Sequence, residues 1–305
     1  MTKTIFAHHD ADGIASAYMA SFAYPNADIQ VVEKFGDTTF WKDGDIMVDM
    51  RPDDPSIKGL VIDHHPGHPP LGSRGYDLIF DHKPASLVCF EHYQDKIPES
   101  EWWKVVIGAV GDGQPEKIPY DVWNSCKLLK QHYSTYVSKY KNQWSTGFYP
   151  IYLSLSSPIN AFCRCGKYNE ILEIIREAKT PLDIIKHPKV IAQKKSNNTM
   201  FNGIMYGSKV FELPNLRIII FNSKSLRVTG WVASVLGEER DGVTTIAINE
   251  DNGSLSVRGD LANYFRGLCE AKKLNYIKFD GHDGFMGGRI TVDPMQFYYD
   301  MLEIL

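Results

Sequence analysis

Thr4–Gly13 reads TIFAHHDADG: a short apolar run that passes straight into two histidines and two aspartates and closes on a glycine. Three later stretches have the same design. Asp45–Met50 is DIMVDM, Leu60–Gly67 is LVIDHHPG, and the apolar Trp102–Val110 segment ends in Gly111-Asp112-Gly113. The first three runs have strand length, and Gly13–Ala23 (GIASAYMASFA) sets Ile14, Tyr18 and Phe22 at helical spacing. Further strands are expected at Ile29–Val32 and Tyr76–Phe80. Strands alternating with helices predict an α/β fold whose N-terminal part is a mostly parallel sheet flanked by helices.

In open α/β sheets, sites form beyond the carboxyl ends of the strands. Segments distant in sequence therefore deliver His8, Asp10, Asp12, Asp49, Asp63, His64, His65 and Asp112 to one crevice. In extended backbone, residues i, i+2 and i+4 share a face, so His8, Asp10 and Asp12 are expected to point the same way, with Gly13 turning the chain into a helix. Taken singly, His8 or Asp49 would be an ordinary cap or turn residue, and Asp112 between glycines an ordinary turn. Together they gather carboxylates that repel one another unless cations neutralise them. Mixed imidazole and carboxylate ligands suit Mn²⁺, with Mg²⁺, Zn²⁺ and Fe²⁺ as alternatives. There are ligands enough for two divalent cations about 3.5–4 Å apart, with one Asp bridging them.

Composition narrows the classes. The chain has 305 residues, 43% hydrophobic and 23% charged, which suits an ordinary globular protein of about two domains. Lys plus Arg is 33 and Asp plus Glu is 37, a net charge of −4, so a basic surface alone does not hold nucleic acid. No apolar run reaches the ~18 residues of a membrane helix. Met1–Phe6 gives way at once to His8 and His9, so no signal-peptide core is expected. The five cysteines, Cys89, Cys126, Cys163, Cys165 and Cys269, fit reduced thiols in a cytoplasm, and Cys163-Arg164-Cys165 lacks the second pair a zinc site needs.

The expected organisation is a metal-binding domain over residues 1–193, helical from about 114, a linker over 194–203, and a smaller α+β domain over 204–305, with the active site in the cleft between domains. Lys194–Thr199 (KKSNNT) is polar and without periodicity, the reason for placing the linker there. Beyond it, Ile204–Phe211, Leu216–Phe221, Thr244–Asn249 and Ser254–Val257 are apolar segments, Trp231–Leu236 and Leu261–Ala271 read as helices, and Asn252-Gly253 signals a hairpin. Gly281, Gly284, Gly287 and Gly288 allow close approach of a ligand, and the Arg258 fork matches phosphate. Arg289 is equally readable as functional or solvated. Lys186, Lys189, Lys194 and Lys195 could follow a nucleic-acid backbone, although such runs are usually solvated. Trp102 and Trp103 suit base stacking or, more commonly, a helix core. His68, His82 and His92 read as core or surface histidines.

These segments resemble the DHH phosphoesterase family. Its H-x-D-x-D-G segment corresponds to His8–Gly13, its strand-end Asp to Asp49, its Asp-His-His triplet to Asp63-His64-His65 and its later Asp to Asp112. The C-terminal part resembles the DHH-associated domain of the nanoRNase, RecJ-exonuclease and cyclic-dinucleotide phosphodiesterase branch. Its Gly-Gly-His segment reads Asp280-Gly281-His282 here, followed by Phe285 and Met286 where the family has alanines, which would narrow the substrate groove. The family's serine-hydrophobic-arginine strand corresponds to Ser256-Val257-Arg258.

The resemblance implies roles. His8 and Asp10 would hold one cation, Asp12, His64 and Asp112 the other, and Asp49 would bridge them. Asp63 would fix the imidazole of a ligating His. His65 would face the phosphate, while water attacks phosphorus in line, its pKa lowered by the cations. Arg258, Gly281, His282, Gly287, Gly288 and Arg289 would contact the nucleotide. Ser86, at a helix start, would offer donors to a phosphate or act as an ordinary cap.

The expected function is a two-metal phosphodiesterase that takes short oligonucleotides or single-strand ends to mononucleotides, with Mn²⁺ the leading cation and Mg²⁺ second. Short single-stranded nucleic acid or a small nucleotide is the expected partner; no membrane is expected, and a dimer is left open. The alternatives are a cyclic-dinucleotide phosphodiesterase, a nucleoside 3′,5′-bisphosphate phosphatase and, of another class, a non-catalytic nucleic-acid-binding scaffold.

Overall fold

Alternation along Thr4–Ala7, strand β1, determines the layers of the N-terminal part. Ile5 and Ala7 enter one core while Phe6 enters another. The computed structural model describes residues 2–130, 153–224, 228–237, 243–259, 262–271, 274–282 and 285–304. Among them, β2 (Asp28–Val31), β3 (Asp45–Val48), β4 (Gly59–Asp63) and β5 (Asp77–Phe80) join β1 in a parallel five-stranded sheet of order β2-β1-β3-β4-β5. The order reverses between β1 and β3, which in doubly wound sheets is where a crevice opens.

Helices α1 (Ala11–Ala23), α2 (Ala85–Tyr93) and α3 (Val105–Gly111) pack on one face. Ile14, Leu87, Val106 and Ala109 meet Ile5, Val48 and Ile62 there. Each fully buried side chain of Ile14's size contributes about 1.5–3 kcal/mol. On the opposite face Phe6, Met47 and Val61 pack with Val32, Met50, Ile57 and Tyr76. The Trp102–Val110 run divides into a 3₁₀ turn over Glu99–Lys104 and α3. Trp103 is buried and the Trp102 indole donates to Ile97 O at 3.0 Å, so both indoles serve the core. Helices Leu153–Arg164, Tyr168–Glu177 and Pro181–Ile185 follow.

The chain divides into two units between Lys194 and Lys195. That boundary falls inside the helix Pro188–Tyr206, so residues 194–203 do not form the irregular linker expected of them. The buried stripe is Val190, Gln193, Asn197 and Ile204, with Phe201 partly buried. Two of its members are polar, which hides the helical period from a hydrophobicity reading. The same helix takes up Ile204–Tyr206, expected to be extended; β6 begins at Lys209.

The second unit is a six-stranded sheet of order β10-β11-β9-β8-β7-β6. Its strands are β6 (Lys209–Leu213), β7 (Leu216–Phe221), β8 (Thr244–Asn249), β9 (Ser254–Arg258), β10 (Ile277–His282) and β11 (Phe285–Ile290). Among the described residues of this sheet only β7 and β8 pair in parallel. The Asn252-Gly253 signal corresponds to the antiparallel β8–β9 connection, with Gly253 at φ +69. Helices Thr229–Gly237, Ala262–Ala271 and Pro294–Ile304 accompany the sheet, and Leu261 lies outside the described residues. The described part of the glycine segment is β structure: Asp280 pairs with Gly287 and Gly281 with Met286, while Asp283 and Gly284 lie outside the described residues. Among the described residues no helix is long and apolar enough to cross a membrane.

Candidate metal centre

His8 follows β1, Asp49 follows β3, and Asp63 closes β4 with His64 and His65 behind it. These strands are neighbours. Ala7 stands opposite Val48 and Val48 opposite Ile62, so the polar residues leave the sheet side by side. Asp112 arrives as the C-cap of α3, and Asp12 from the first turn of α1.

Asp49 lies at the centre. Its φ is +60, a left-handed conformation that Asp tolerates better than most residues. Its N–H still donates to Ile62 O at 2.9 Å. Oδ2 lies 3.5 Å from His8 Nδ1; Oδ1 lies 3.2 Å from His64 Nε2 and 4.0 Å from His65 Nδ1. His8 Nδ1 is 2.8 Å from Asp10 Oδ2, and His64 Nδ1 is 3.7 Å from Asp112 Oδ2. Three groups form, each with its ligand atoms within 4.8 Å of one another: His8, Asp10 and Asp49; Asp12, His64 and Asp112; and Asp49 with Asp63, His64 and His65.

Asp12 comes to the centre from helical backbone and not from the extended segment expected to align His8, Asp10 and Asp12. Asp10 is the N-cap of α1, its Oδ1 accepting from Gly13 N at 3.0 Å, so extended backbone ends there and the strand period with it. Asp12 turns to the N-terminus of α2. Its Oδ2 accepts from Ala85 N at 2.7 Å and its Oδ1 from Ser86 N at 3.1 Å. The Ser86 N–H thus serves Asp12, where the sequence suggested a phosphate donor, and the helix cap is Pro84.

Electrostatics follow from burial and crowding. Burial, with Asp49 and Asp112 beside it, pushes the Asp12 carboxyl well up. Burial, with Asp49 and Asp10, lifts Asp112 to about 7 against the pull of His64. Burial alone would lower His64, but Asp49, Asp112 and Asp12 outweigh it and raise the imidazole to about 10. His8 is likewise raised, Asp10 and Asp49 overcoming its desolvation. His8 Nδ1 and Asp49 Oδ1 are buried, and their near neighbours, Asp10 Oδ2 at 2.8 Å and His64 Nε2 at 3.2 Å, give neither a well-directed hydrogen bond. Mutually repelling carboxylates, imidazoles held between them and two unsatisfied buried ligand atoms fit a divalent cation of the Mn²⁺ or Mg²⁺ kind.

Asp63 is fully buried and accepts from His64 N and from His65 Nδ1, both at 2.8 Å on Oδ1. The imidazole it fixes is therefore that of His65, while the His64 ring lies between Asp49 and Asp112. Burial would raise Asp63, but the bonds from His65 and His68 hold it well below the usual carboxylate range. His68, read from sequence as a plain core or surface histidine, places Nε2 2.9 Å from Asp63 Oδ2 and Nδ1 2.8 Å from Tyr76 Oη.

Other contributors escaped the sequence reading. Asn160 Oδ1 accepts from Ala11 N at 2.8 Å, tying the Leu153–Arg164 helix to the ligand loop. Gln114 Nε2 donates to Asp112 Oδ2 at 2.8 Å. A methyl group on Gly108 would come 2.4 Å from Asp12 Oδ1 and 2.3 Å from Ser86 Oγ, so α3 approaches Asp12 only with glycine there. The last of these had a visible signal, Gly108 within an otherwise apolar helical run.

In the second unit, Arg258 is tied into the sheet. Its Nη1 donates to Val257 O at 2.8 Å and to Met286 O at 3.2 Å, and its Nε to Ser234 Oγ at 3.2 Å. Gly287 pairs with Ser256 and Gly288 with Leu255 on β9, and His282 pairs with Phe285. Arg289 Nε donates to Asn252 O at 3.0 Å, across the β8–β9 turn. Met286, expected to narrow a groove, is fully buried in this unit's core. Among the lysines near the boundary, Lys189 pairs with Glu170 at 2.8 Å.

No family model matches the chain, and no curated protein does. Solved structures similar to it in fold include the following three. RecJ from Thermus thermophilus in complex with Mn²⁺ has a TM-score of 0.66 and 13% identity over 99% of this chain. This chain spans about half that protein's length, 51%. The DHH domain of a protein described as a member of a family of ribosomal proteins has a TM-score of 0.66 and 14% identity, covering 99% of this chain and 85% of that one. The pGpG-specific phosphodiesterase PggH from Vibrio cholerae has a TM-score of 0.52 and 17% identity, covering 99% of both chains.

Proposed function

Starting from a chain that carries the DHH-family fold, we propose that this protein is a divalent-cation-dependent phosphodiesterase acting on short oligonucleotides or single-strand ends and releasing mononucleotides. One observation carries the reading: Asp49 belongs at once to the group with His8 and Asp10 and to the group with His64 and His65, and His64 belongs also to the group with Asp12 and Asp112. A shared carboxylate between two ligand groups is the arrangement a two-cation site requires. Two divalent cations, Mn²⁺ first and Mg²⁺ second, would supply Lewis acidity, a lowered pKa for the attacking water and positive charge for the phosphoryl oxygens.

The chain's own residues do the rest. Asp12 is oriented by the Ala85 and Ser86 N–H groups, and Asp112 by Gln114. His65, held at Nδ1 by Asp63, turns its other nitrogen to a phosphoryl oxygen. Arg258, Gly281, His282, Gly287, Gly288 and Arg289 form the nucleotide-holding part of the reading. PggH, whose likeness covers 99% of each chain, is described as a pGpG-specific phosphodiesterase, which favours short substrates. The odd, scattered set of five cysteines suits a reducing cytoplasm, where we place the protein.

The test is purified protein with Mn²⁺ and end-labelled di- to pentanucleotides, cyclic dinucleotides and a nucleoside 3′,5′-bisphosphate. Mononucleotide release from the linear oligomers is expected. Inorganic phosphate alone would select the phosphatase reading, and opening of the cyclic compounds alone the cyclic-dinucleotide reading. No turnover together with no Mn²⁺ binding by calorimetry would leave a non-catalytic scaffold.

A further inference from the structure

Behind His65 three side chains stand in line. His65 Nδ1 meets Asp63 Oδ1 at 2.8 Å, Asp63 Oδ2 meets His68 Nε2 at 2.9 Å, and His68 Nδ1 meets Tyr76 Oη at 2.8 Å. A carboxylate only accepts, so both imidazoles donate to it. His68 therefore donates at Nε2, and its Nδ1 meets the Tyr76 hydroxyl, so both ring nitrogens and the free oxygen of Asp63 have partners.

Burial gives the line a direction. The side chains of Asp63 and His68 are 0% and 5% exposed, whereas that of His65 is 24% exposed, so the chain opens outward only at His65. The loop is also pinned on both sides of His68. Arg51 Nη1 donates to Pro66 O at 2.9 Å and Arg74 Nη1 to Pro69 O at 2.8 Å. Gly67 adopts φ +91, which a residue with a Cβ holds only under strain, and a Cβ there would push on Arg51 Nη1 at 2.2 Å, the group that holds Pro66 O. Without His68, Asp63 Oδ2 would be a buried, unpaired carboxylate oxygen, and the carboxylate would rotate or protonate rather than stay so. Either change releases the His65 ring.

We propose that His68 and Tyr76 are positioning residues: they clamp the free oxygen of Asp63 and thereby aim the His65 ring at the phosphoryl group of the substrate. The inference rests on the phosphodiesterase reading for its consequence and on the hydrogen-bonded line for its geometry. His68 is absent from the three ligand groups, whereas Asp63, which it holds, stands with His65 in the group that contains Asp49, so Mn²⁺ affinity is the measurement that separates an effect through His65 from one through the cations.

The full-length protein and its His68→Ala, His68→Gln and Tyr76→Phe variants are assayed with bis(p-nitrophenyl) phosphate and Mn²⁺. Mn²⁺ affinity is measured by calorimetry, and the ring N–H signals by ¹⁵N-edited NMR with Mg²⁺ present. His68→Ala should lower kcat by about 10–100-fold, with KM and Mn²⁺ affinity unchanged, and should shift the low-field His65 N–H signal. His68→Gln, whose amide N–H can donate to Asp63, should recover most of the loss, and Tyr76→Phe should lose less than His68→Ala. An unchanged kcat, an equal loss in Ala and Gln variants, or a loss that follows Mn²⁺ affinity would overturn the proposal. If the wild-type protein turns over no phosphodiester, the functional reading fails by itself. The inference is then decided by whether the His65 signal moves in His68→Ala at unchanged Mn²⁺ affinity; an unmoved signal overturns it.

Discussion

Asp49 and His64 face each other across 3.2 Å, Oδ1 to Nε2, at the point where two ligand groups meet. Each is drawn into that position by a different strand, Asp49 by β3 and His64 by β4, and the two strands are paired neighbours. The contact is therefore a product of sheet register rather than of local sequence. It also sets the electrostatics: the imidazole is lifted to about 10 because it stands among Asp49, Asp112 and Asp12.

Asp49→Asn separates the charge of this residue from its backbone. Asn, like Asp, adopts left-handed φ readily, so the φ of +60 persists and the fold survives. The shared anionic ligand is lost. Mn²⁺ affinity by calorimetry should fall steeply and kcat by on the order of 10³-fold, the several kcal/mol of charge stabilisation that a bound cation supplies. Unaltered circular dichroism with unaltered Mn²⁺ affinity would remove Asp49 from the centre.

The N-terminal sheet was legible in the sequence because its strands are short apolar runs that end in chemistry. Fully buried β3 shows a continuous apolar reading after Asp45, as strands of parallel sheets do. Asp10, Asp49 and His64 were recognisable as candidates for the same reason. What was hidden is what depends on polar residues in buried places. Gln193 and Asn197 lie on the buried stripe of the Pro188–Tyr206 helix and made it resemble a linker. Asp10 acts as a cap, which no strand period reveals, and so Asp12 comes to the centre from the first turn of α1 rather than along the strand. His68 reaches Asp63 only through a loop whose shape depends on Arg51 and Arg74, residues that carry no motif.

Proton linkage yields a second prediction. Asp112 is raised from 3.8 to about 7 and His64 from 6.5 to about 10. A cation needs the first ionised and the second neutral, so binding must expel protons, and Mn²⁺ affinity should climb as pH rises from 6 to 9. Calorimetry in buffers of different ionisation enthalpy should show net proton release, larger at pH 6 than at pH 9. The metal-free protein should respond oppositely. A raised folded-state value gives stability that is present below the ordinary pKa and lost as pH rises through the folded one. With EDTA, Tm should therefore fall from pH 6 to 9, while the Tm increment from Mn²⁺ grows. A Tm that rises with pH in EDTA would contradict both assignments.

Gly108 and Gly203 make a matched pair, since both are helical glycines and differ only in what surrounds them. At Gly203, on the exposed face of the Pro188–Tyr206 helix, a Cβ meets nothing within 4 Å. Gly203→Ala should stabilise the protein by about 0.4–1 kcal/mol, through the backbone freedom removed from the unfolded chain. At Gly108 the same helical gain is opposed by Asp12 Oδ1 at 2.4 Å and Ser86 Oγ at 2.3 Å. Neither neighbour is free to retreat, because Asp12 is bonded to the Ala85 and Ser86 N–H groups at the start of α2. Gly108→Ala should lose about 1–3 kcal/mol, as overpacked cores do. It should also weaken Mn²⁺ binding, because the side chain it displaces belongs to the group with His64 and Asp112. Denaturant titration and calorimetry of the two variants measure both quantities. A Gly108→Ala variant as stable and as tight for Mn²⁺ as Gly203→Ala would mean that α3 does not press on Asp12.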